Sequence, residues 1–302
     1  MITADGLYSL DIDLYHTQAC CDGPSVSSSS LRAIMHGCPQ KWYATSDLNP
    51  ARMKKKETVA LNFGRAAHAL VLGEPEFKSK FIISPYADFR TKEAQLWRDS
   101  QTKQVVRIEE METVNAMAKA QREAPQVMRA FSEGKPEMSL IWKDPETGVW
   151  LKSRPDWLPT HPAIRFACEY KTCISIEPRK LSNDVFKYGY EMQAALALDG
   201  IATVLDVKPL GMAHVVQEKD VPYLCDMRLF TTEQIEFGRM QYRKALHIFA
   251  RCLETGIWPG YTTEPRYFDT PWWVTKTMEN FDDDNGYAGA GFDDDTSEGA
   301  ID

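Results

Sequence analysis

No stretch of the chain approaches twenty consecutive apolar residues, so nothing in it reads as a membrane-spanning helix. The first residues lack a basic start followed by an apolar core, and the expectation is a protein that is not exported and works in the cytoplasm. The seven cysteines, Cys20, Cys21, Cys38, Cys168, Cys173, Cys225 and Cys252, show no C-x-x-C spacing. Their odd number and lack of pattern argue against a disulfide framework and for reduced thiols. The last 24 residues contain no Lys or Arg but carry nine acidic side chains. With those nine set aside, the net charge of −8 becomes +1 for residues 1–278. The body is therefore near neutral, which permits a basic groove without showing one. Residues 279–302 are expected to be disordered, because low hydrophobicity and high charge cannot offset the entropy of ordering. Within them Phe281-Asp282-Asp283-Asp284 and Phe292-Asp293-Asp294-Asp295 repeat an aromatic residue before an acidic triplet. Beside a plain solubility role, such a tail can mimic DNA or dock its aromatics on a partner.

What the chain does have is a short constellation of charge. Arg154-Pro155-Asp156 is followed, after twelve residues, by Glu169-Tyr170-Lys171. Residues 149–154 read as a strand, rich in aromatic and β-branched residues; 140–142 form the other arm of a hairpin across the Asp144-Pro145-Glu146-Thr147-Gly148 turn. Residues 164–171 read as a further strand, on which Glu169 and Lys171 share one face and Cys168 and Tyr170 the other. If strands 149–154 and 164–171 pair, Asp156 comes close to Glu169 and Lys171. Two carboxylates suit Mg²⁺, which takes hard oxygen ligands and keeps several waters. Such a cation polarises a phosphoryl oxygen and acidifies water, while a nearby Lys stabilises charge developing on phosphate. On spacing alone, a surface ion-pair cluster also accounts for the three residues.

The flanking segments supply walls for such a site. Pro178 suits a helix start, and Ala, Leu, Met and Gln dominate the stretch to residue 200, where Tyr190 and Gln193 share a face at i,i+3. Residues 202–207 and 211–216 read as strands. Residues 58–72 read as a helix ended by Gly73, with Gly64, His68 and Leu72 on one stripe. A satisfied core histidine is the plain reading of His68 there. Residues 108–131 form a helical insert interrupted at Pro125, and 234–255 a long amphipathic helix ending near Gly256. Glu137, ahead of the hairpin, offers one more carboxylate. Arg52-Met53-Lys54-Lys55-Lys56 is the densest basic run, and Arg90, Lys92, Arg98 and Lys103 form a second; each either tracks phosphates or is a solvated loop.

Taken in order, these blocks resemble the PD-(D/E)XK nuclease superfamily and, within it, the RecE-type (exonuclease VIII-like) phage and prophage exonucleases. The resemblance covers most of residues 8–275. It rests on Ser28-Ser29-Ser30-Leu31 through Pro39-Gln40-Lys41-Trp42-Tyr43, on Phe63-Gly64-Arg65-Ala66-Ala67-His68-Ala69-Leu70, and on Phe89-Arg90-Thr91-Lys92 with Trp97-Arg98. Arg154-Pro155-Asp156, Glu169-Tyr170-Lys171-Thr172, Tyr190-Glu191-Met192-Gln193-Ala194-Ala195 and Trp258-Pro259-Gly260-Tyr261 complete it.

The resemblance implies an α/β fold, a central mixed β-sheet flanked by helices, with N-terminal and helical additions. The exonuclease-like domain would span 1–278, its catalytic core about 58–220 by the resemblance. Asp156 and Glu169 would be metal ligands, joined by the Tyr170 backbone carbonyl and by His68. Lys171 would be the catalytic lysine, Gln193 would position it or a phosphate, and Tyr190 would line the same wall. Arg52, Lys54, Lys55, Lys56, Arg90 and Lys92 are candidate DNA contacts. Relatives often carry a Tyr one turn after the Gln, where this chain has Ala197 and Leu198. The implied cofactor is Mg²⁺, with Mn²⁺ able to substitute. Some relatives bind an iron–sulfur cluster through four cysteines, and the spacing here does not support one. The implied activity is 5′-to-3′ digestion of linear double-stranded DNA, leaving 3′ single-stranded tails for recombination in a bacterial host. The partners implied are double-stranded DNA ends, a single-strand-annealing recombination protein, and further copies of the chain in a ring. An endonuclease or structure-specific nuclease on the same fold, and a catalytically silent DNA-end-binding protein, are the alternatives.

Overall fold

The computed structural model describes residues 1–53, 66–70, 73–131, 133–160, 166–208, 210–262 and 264–281. Lys54, Lys55, Lys56 and Gly64, and the expected tail beyond residue 281, lie outside these described residues. Strands β1 (Gly6–Tyr8), β2 (Ser25–Ser27), β6 (Ser139–Lys143) and β7 (Trp150–Ser153) form one sheet in the order β1-β6-β7-β2. A second sheet, ordered β11-β10-β9-β8-β5, contains β5 (Gly134–Pro136), β8 (Trp157–Pro159), β9 (Phe166–Cys173), β10 (Gly211–Glu218) and β11 (Cys225–Leu229). Strands β3 (Phe81–Ile83) and β4 (Gln104–Val106) pair separately. The large sheets are mixed: β9 runs parallel to β10 and β2 to β7, whereas β6–β7, β8–β9 and β10–β11 are antiparallel.

Strand β9 divides two cores. Its Ala167 belongs to the cluster built by the helices Tyr190–Leu205 and Thr232–Thr255, with Met192, Leu196, Leu246 and Phe249 fully buried. Tyr170, on the opposite face, packs with Val114, Met117 and Val127 from the helices Ile108–Arg122 and Pro125–Ala130. The break expected at Pro125 separates those two helices. The helices of the first cluster approach closely at Gly238, where a Cβ would lie 2.2 Å from the Glu191 carbonyl oxygen. The long helix ends at Gly256, whose φ of +69° is the left-handed cap expected of glycine.

Three expectations are corrected. Residues 202–205 are the last turn of the helix Tyr190–Leu205 rather than a strand. Buried Leu198 and Ile201 continue the helical stripe into Val204 and Leu205, which pack against the same core, so burial overrides β-branched propensity. The segment from Pro178 is two helices, Pro178–Lys187 and Tyr190–Leu205, separated at Gly189 with φ +65°. Finally, β7 does not pair with β9. The chain changes sheets across Arg154-Pro155-Asp156, and β8 instead meets β9, at Trp157↔Cys168. Pro155 lacks an N–H and cannot continue the β7 ladder.

The chain divides into compact units at 1–260 and 261–302. In the second, the described helix Trp272–Phe281 extends three residues into the segment expected to be disordered from 279. Among the described residues, no helix is long and apolar enough to cross a membrane.

Candidate active site

The switch between sheets is what builds the site. It leaves Asp156 almost fully buried (7 % exposed), with its Oδ2 accepting the Tyr170 N–H at 2.7 Å. Strand alternation turns Glu169 and Lys171 together to the other face of β9 from the Tyr170 ring, as expected. The Lys171 Nζ lies 2.6 Å from Glu169 Oε1. Gln193, in the first turn of the helix Tyr190–Leu205, donates to the same oxygen at 2.5 Å. From helical residues 66–70, His68 brings Nε2 to 2.8 Å from Asp156 Oδ1. Tyr190 closes the wall, its ring centroid 5.4 Å from the Lys171 ammonium. All seven residues line one open cleft of about 830 Å³.

The two carboxylates titrate in opposite directions. Burial alone would raise Asp156, but His68, Lys171 and the Tyr170 N–H hold it below the usual carboxylate range. Burial and repulsion from Asp156 push Glu169 above that range despite Lys171. For Lys171, burial acts downward, and Glu169 and Asp156 outweigh it, so the ammonium is kept. His68 is raised because the Asp156 carboxylate overcomes burial. Behind the wall His214 is fully enclosed, stacked on Tyr190 at 6.0 Å, and held down to about 3 by burial and by Lys171.

A hard cation suits this donor set. Glu169 Oε2 is buried with no hydrogen-bond partner among the described residues, an acceptor left bare where burial makes that costly. Among the described residues, no three His, Cys, Asp or Glu side chains form a ready cage. Mg²⁺ needs only one or two carboxylates when water and phosphate oxygens complete its shell. Asp156 and Glu169 are the residues that would hold it.

Three described basic candidates fall elsewhere. Arg52 is exposed, pairs with Asp47 and lines a separate cavity. Arg90 is exposed and lies 3.5 Å from Asp88, while Lys92 begins an exposed helix, Lys92–Asp99. None of the three lines the cleft. From the second basic run Lys103 does line it, and the rest of the cationic lining comes from Arg32, Lys80 and Arg154 as well as Lys171. Arg32 is half-buried, donates to the Tyr188 carbonyl at 2.8 Å and sits 5.9 Å from the Tyr190 ring centroid. No local pattern marks Arg32 or Lys80. One ends a short Ser-rich helix and the other the helix Glu74–Lys80, and only long-range packing brings them here.

Residues 27–271 match the family described as a PDDEXK-like domain of unknown function (DUF3799), and the chain belongs to that family. A crystal structure from Eubacterium rectale named "Putative exonuclease" shares the fold, with a TM-score of 0.60 at 11 % identity over 90 % of this chain and 98 % of that one. No curated protein matches the sequence.

Proposed function

We propose that the protein is a Mg²⁺-dependent deoxyribonuclease that digests linear double-stranded DNA from the 5′ end and leaves a 3′ single strand for recombination. The observation that supports hydrolysis most strongly is the pair of buried carboxylates, Asp156 and Glu169, with the half-buried Lys171 beside the bare Glu169 Oε2. A cation held by Asp156 and Glu169, with the Tyr170 carbonyl and His68 beside them, would supply charge to a phosphoryl oxygen and acidify water there. Mn²⁺ would substitute for it. Lys171 contributes a permanent ammonium toward charge developing on the phosphate. Gln193 fixes the Glu169 carboxylate through its 2.5 Å hydrogen bond. Tyr190 limits where the Lys171 chain can move. The 5′ polarity, the duplex end as substrate, a ring of subunits and an annealing partner follow from resemblance to RecE-type enzymes. So does a phage or prophage origin, with activity in the bacterial cytoplasm.

The test is digestion with Mg²⁺ of duplexes labelled at either end, a covalently closed circle and single-stranded DNA. Linear duplex should lose its 5′ label first, and the circle should survive. Cutting of the circle would replace the exonuclease with an endonuclease. A protein that binds duplex ends but cuts nothing with Mg²⁺ or Mn²⁺ would leave only an end-binding role.

A further inference from the structure

Glu137 stands between β5 and β6 with φ +49°, a left-handed conformation that a side chain of its kind rarely adopts. A turn alone would be served there by Gly or Asn without that strain. The strained backbone is tied to the catalytic segment, because the Glu137 N–H donates to the Asp156 carbonyl at 3.1 Å. Residues held in sparsely populated backbone regions cluster where function over-determines them.

The side chain explains what is held. Glu137 Oε2 accepts from Arg154 at 2.9 Å and from Lys80 at 3.0 Å, which fixes the carboxylate from two sides. Its other oxygen faces His68 Nδ1 at 3.8 Å. The opposite ring nitrogen, Nε2, is the one 2.8 Å from Asp156. The His68 imidazole is thus set between two carboxylates, one of them anchored by two cations and a strained turn.

We propose that Glu137 is a positioning residue: it orients the His68 ring so that Nε2 addresses Asp156 and the cation site. This rests on the nuclease reading, and deepens it by adding a residue that acts on the metal site only through His68. An outer carboxylate that orients a histidine beside a metal typically changes metal affinity by ~10–100-fold when removed. A plain structural ion pair would not.

The test is a double-mutant cycle read by calorimetric titration of Mn²⁺ into the DNA-free protein, with thermal melting alongside. Glu137→Gly removes the carboxylate and relieves the strain at φ +49°, which offsets part of the loss of its ion pairs to Arg154 and Lys80, so it should still melt cooperatively. It should nevertheless bind Mn²⁺ about tenfold more weakly. In a His68→Ala background the same change should shift Mn²⁺ affinity less than about twofold, since the group it acts through is gone. Glu137→Gln carries the same expectations for Mn²⁺ binding and covers a failure of the glycine variant to fold. Unchanged Mn²⁺ affinity in both single variants overturns the proposal, and so does an equal loss with and without His68. A parent protein that binds no Mn²⁺ overturns the nuclease reading and this proposal with it.

Discussion

At the scale of single residues, the centre is built from groups held against their preference. Asp156 has a depressed pKa, so its ionised form contributes stability above the ordinary carboxylate range. That contribution is lost as pH falls through the depressed value. Glu169 has the opposite sign. Its pKa is raised, so the ionised form is a cost carried at neutral pH and relieved as pH falls through the raised value. Glu169→Gln is accordingly expected to stabilise the metal-free protein at pH 8 by about 1 kcal/mol, the scale on which active sites trade stability for function. The gain should shrink toward pH ~4, where the unfolded-state carboxylate also protonates. Urea unfolding at the two pH values checks this, and a loss of stability at pH 8 would contradict it. The shared face of Glu169 and Lys171 was legible because period-two alternation is a local fact, whereas Asp156 was expected beside them through a pairing of β7 with β9 that does not form, and it reaches them through β8. Helical spacing alone left His68 a core histidine, and the resemblance singled out His68 and Gln193. Glu137 was visible only as a spare carboxylate, because its contacts to Lys80, Arg154 and His68 span up to 69 residues of sequence. Arg52, Arg90 and Lys92 show the converse: local charge density does not say which surface faces the cleft.

At the scale of elements, the parallel pair β9–β10 and the two helices that connect its strands carry the site. Their approach to the long helix Thr232–Thr255 depends on Gly238. Glycine costs helix stability, and its presence here is explained by contact rather than by flexibility. Gly238→Ala would place its Cβ 2.2 Å from the Glu191 carbonyl oxygen and 2.4 Å from its carbon, both backbone atoms that cannot step aside singly. The expected loss is about 3 kcal/mol by overpacking, with cleavage reduced because Tyr190 and Gln193 ride on the displaced helix. A denaturant midpoint within error of the parent would contradict the close approach. Glycine also suits the break at Gly189, where φ is +65° and a Cβ would meet His36 Nε2 at 2.8 Å and the Arg32 chain at 3.0 Å. Composition marked the helix but not its interruption, which lies at the left-handed backbone of Gly189. The pairing of β8, rather than β7, with β9 was hidden for a similar reason. Proline marks where a ladder stops, but does not say in which sheet the chain resumes.

At the scale of the whole molecule, the match over residues 27–271 places the protein in the PDDEXK-like domain family, and the mixed α/β architecture fits it. The fold class was legible through the resemblance, whose sequence blocks fall in the order expected of that superfamily. Net charge was a poor guide: the −8 of the chain arises beyond residue 278 and says little about a cleft lined by Arg32, Lys80, Arg154 and Lys171. The most direct measurement compares the parent with Lys171→Ala on linear duplex DNA in Mg²⁺, with circular dichroism and DNA affinity measured on both. Removing the ammonium beside Glu169 should reduce cleavage by at least ~10²–10³-fold, the usual scale for losing a group that stabilises developing charge. Fold and DNA affinity should stay close to the parent's. Cleavage by Lys171→Ala at the parent rate would contradict a hydrolytic centre at Asp156, Glu169 and Lys171.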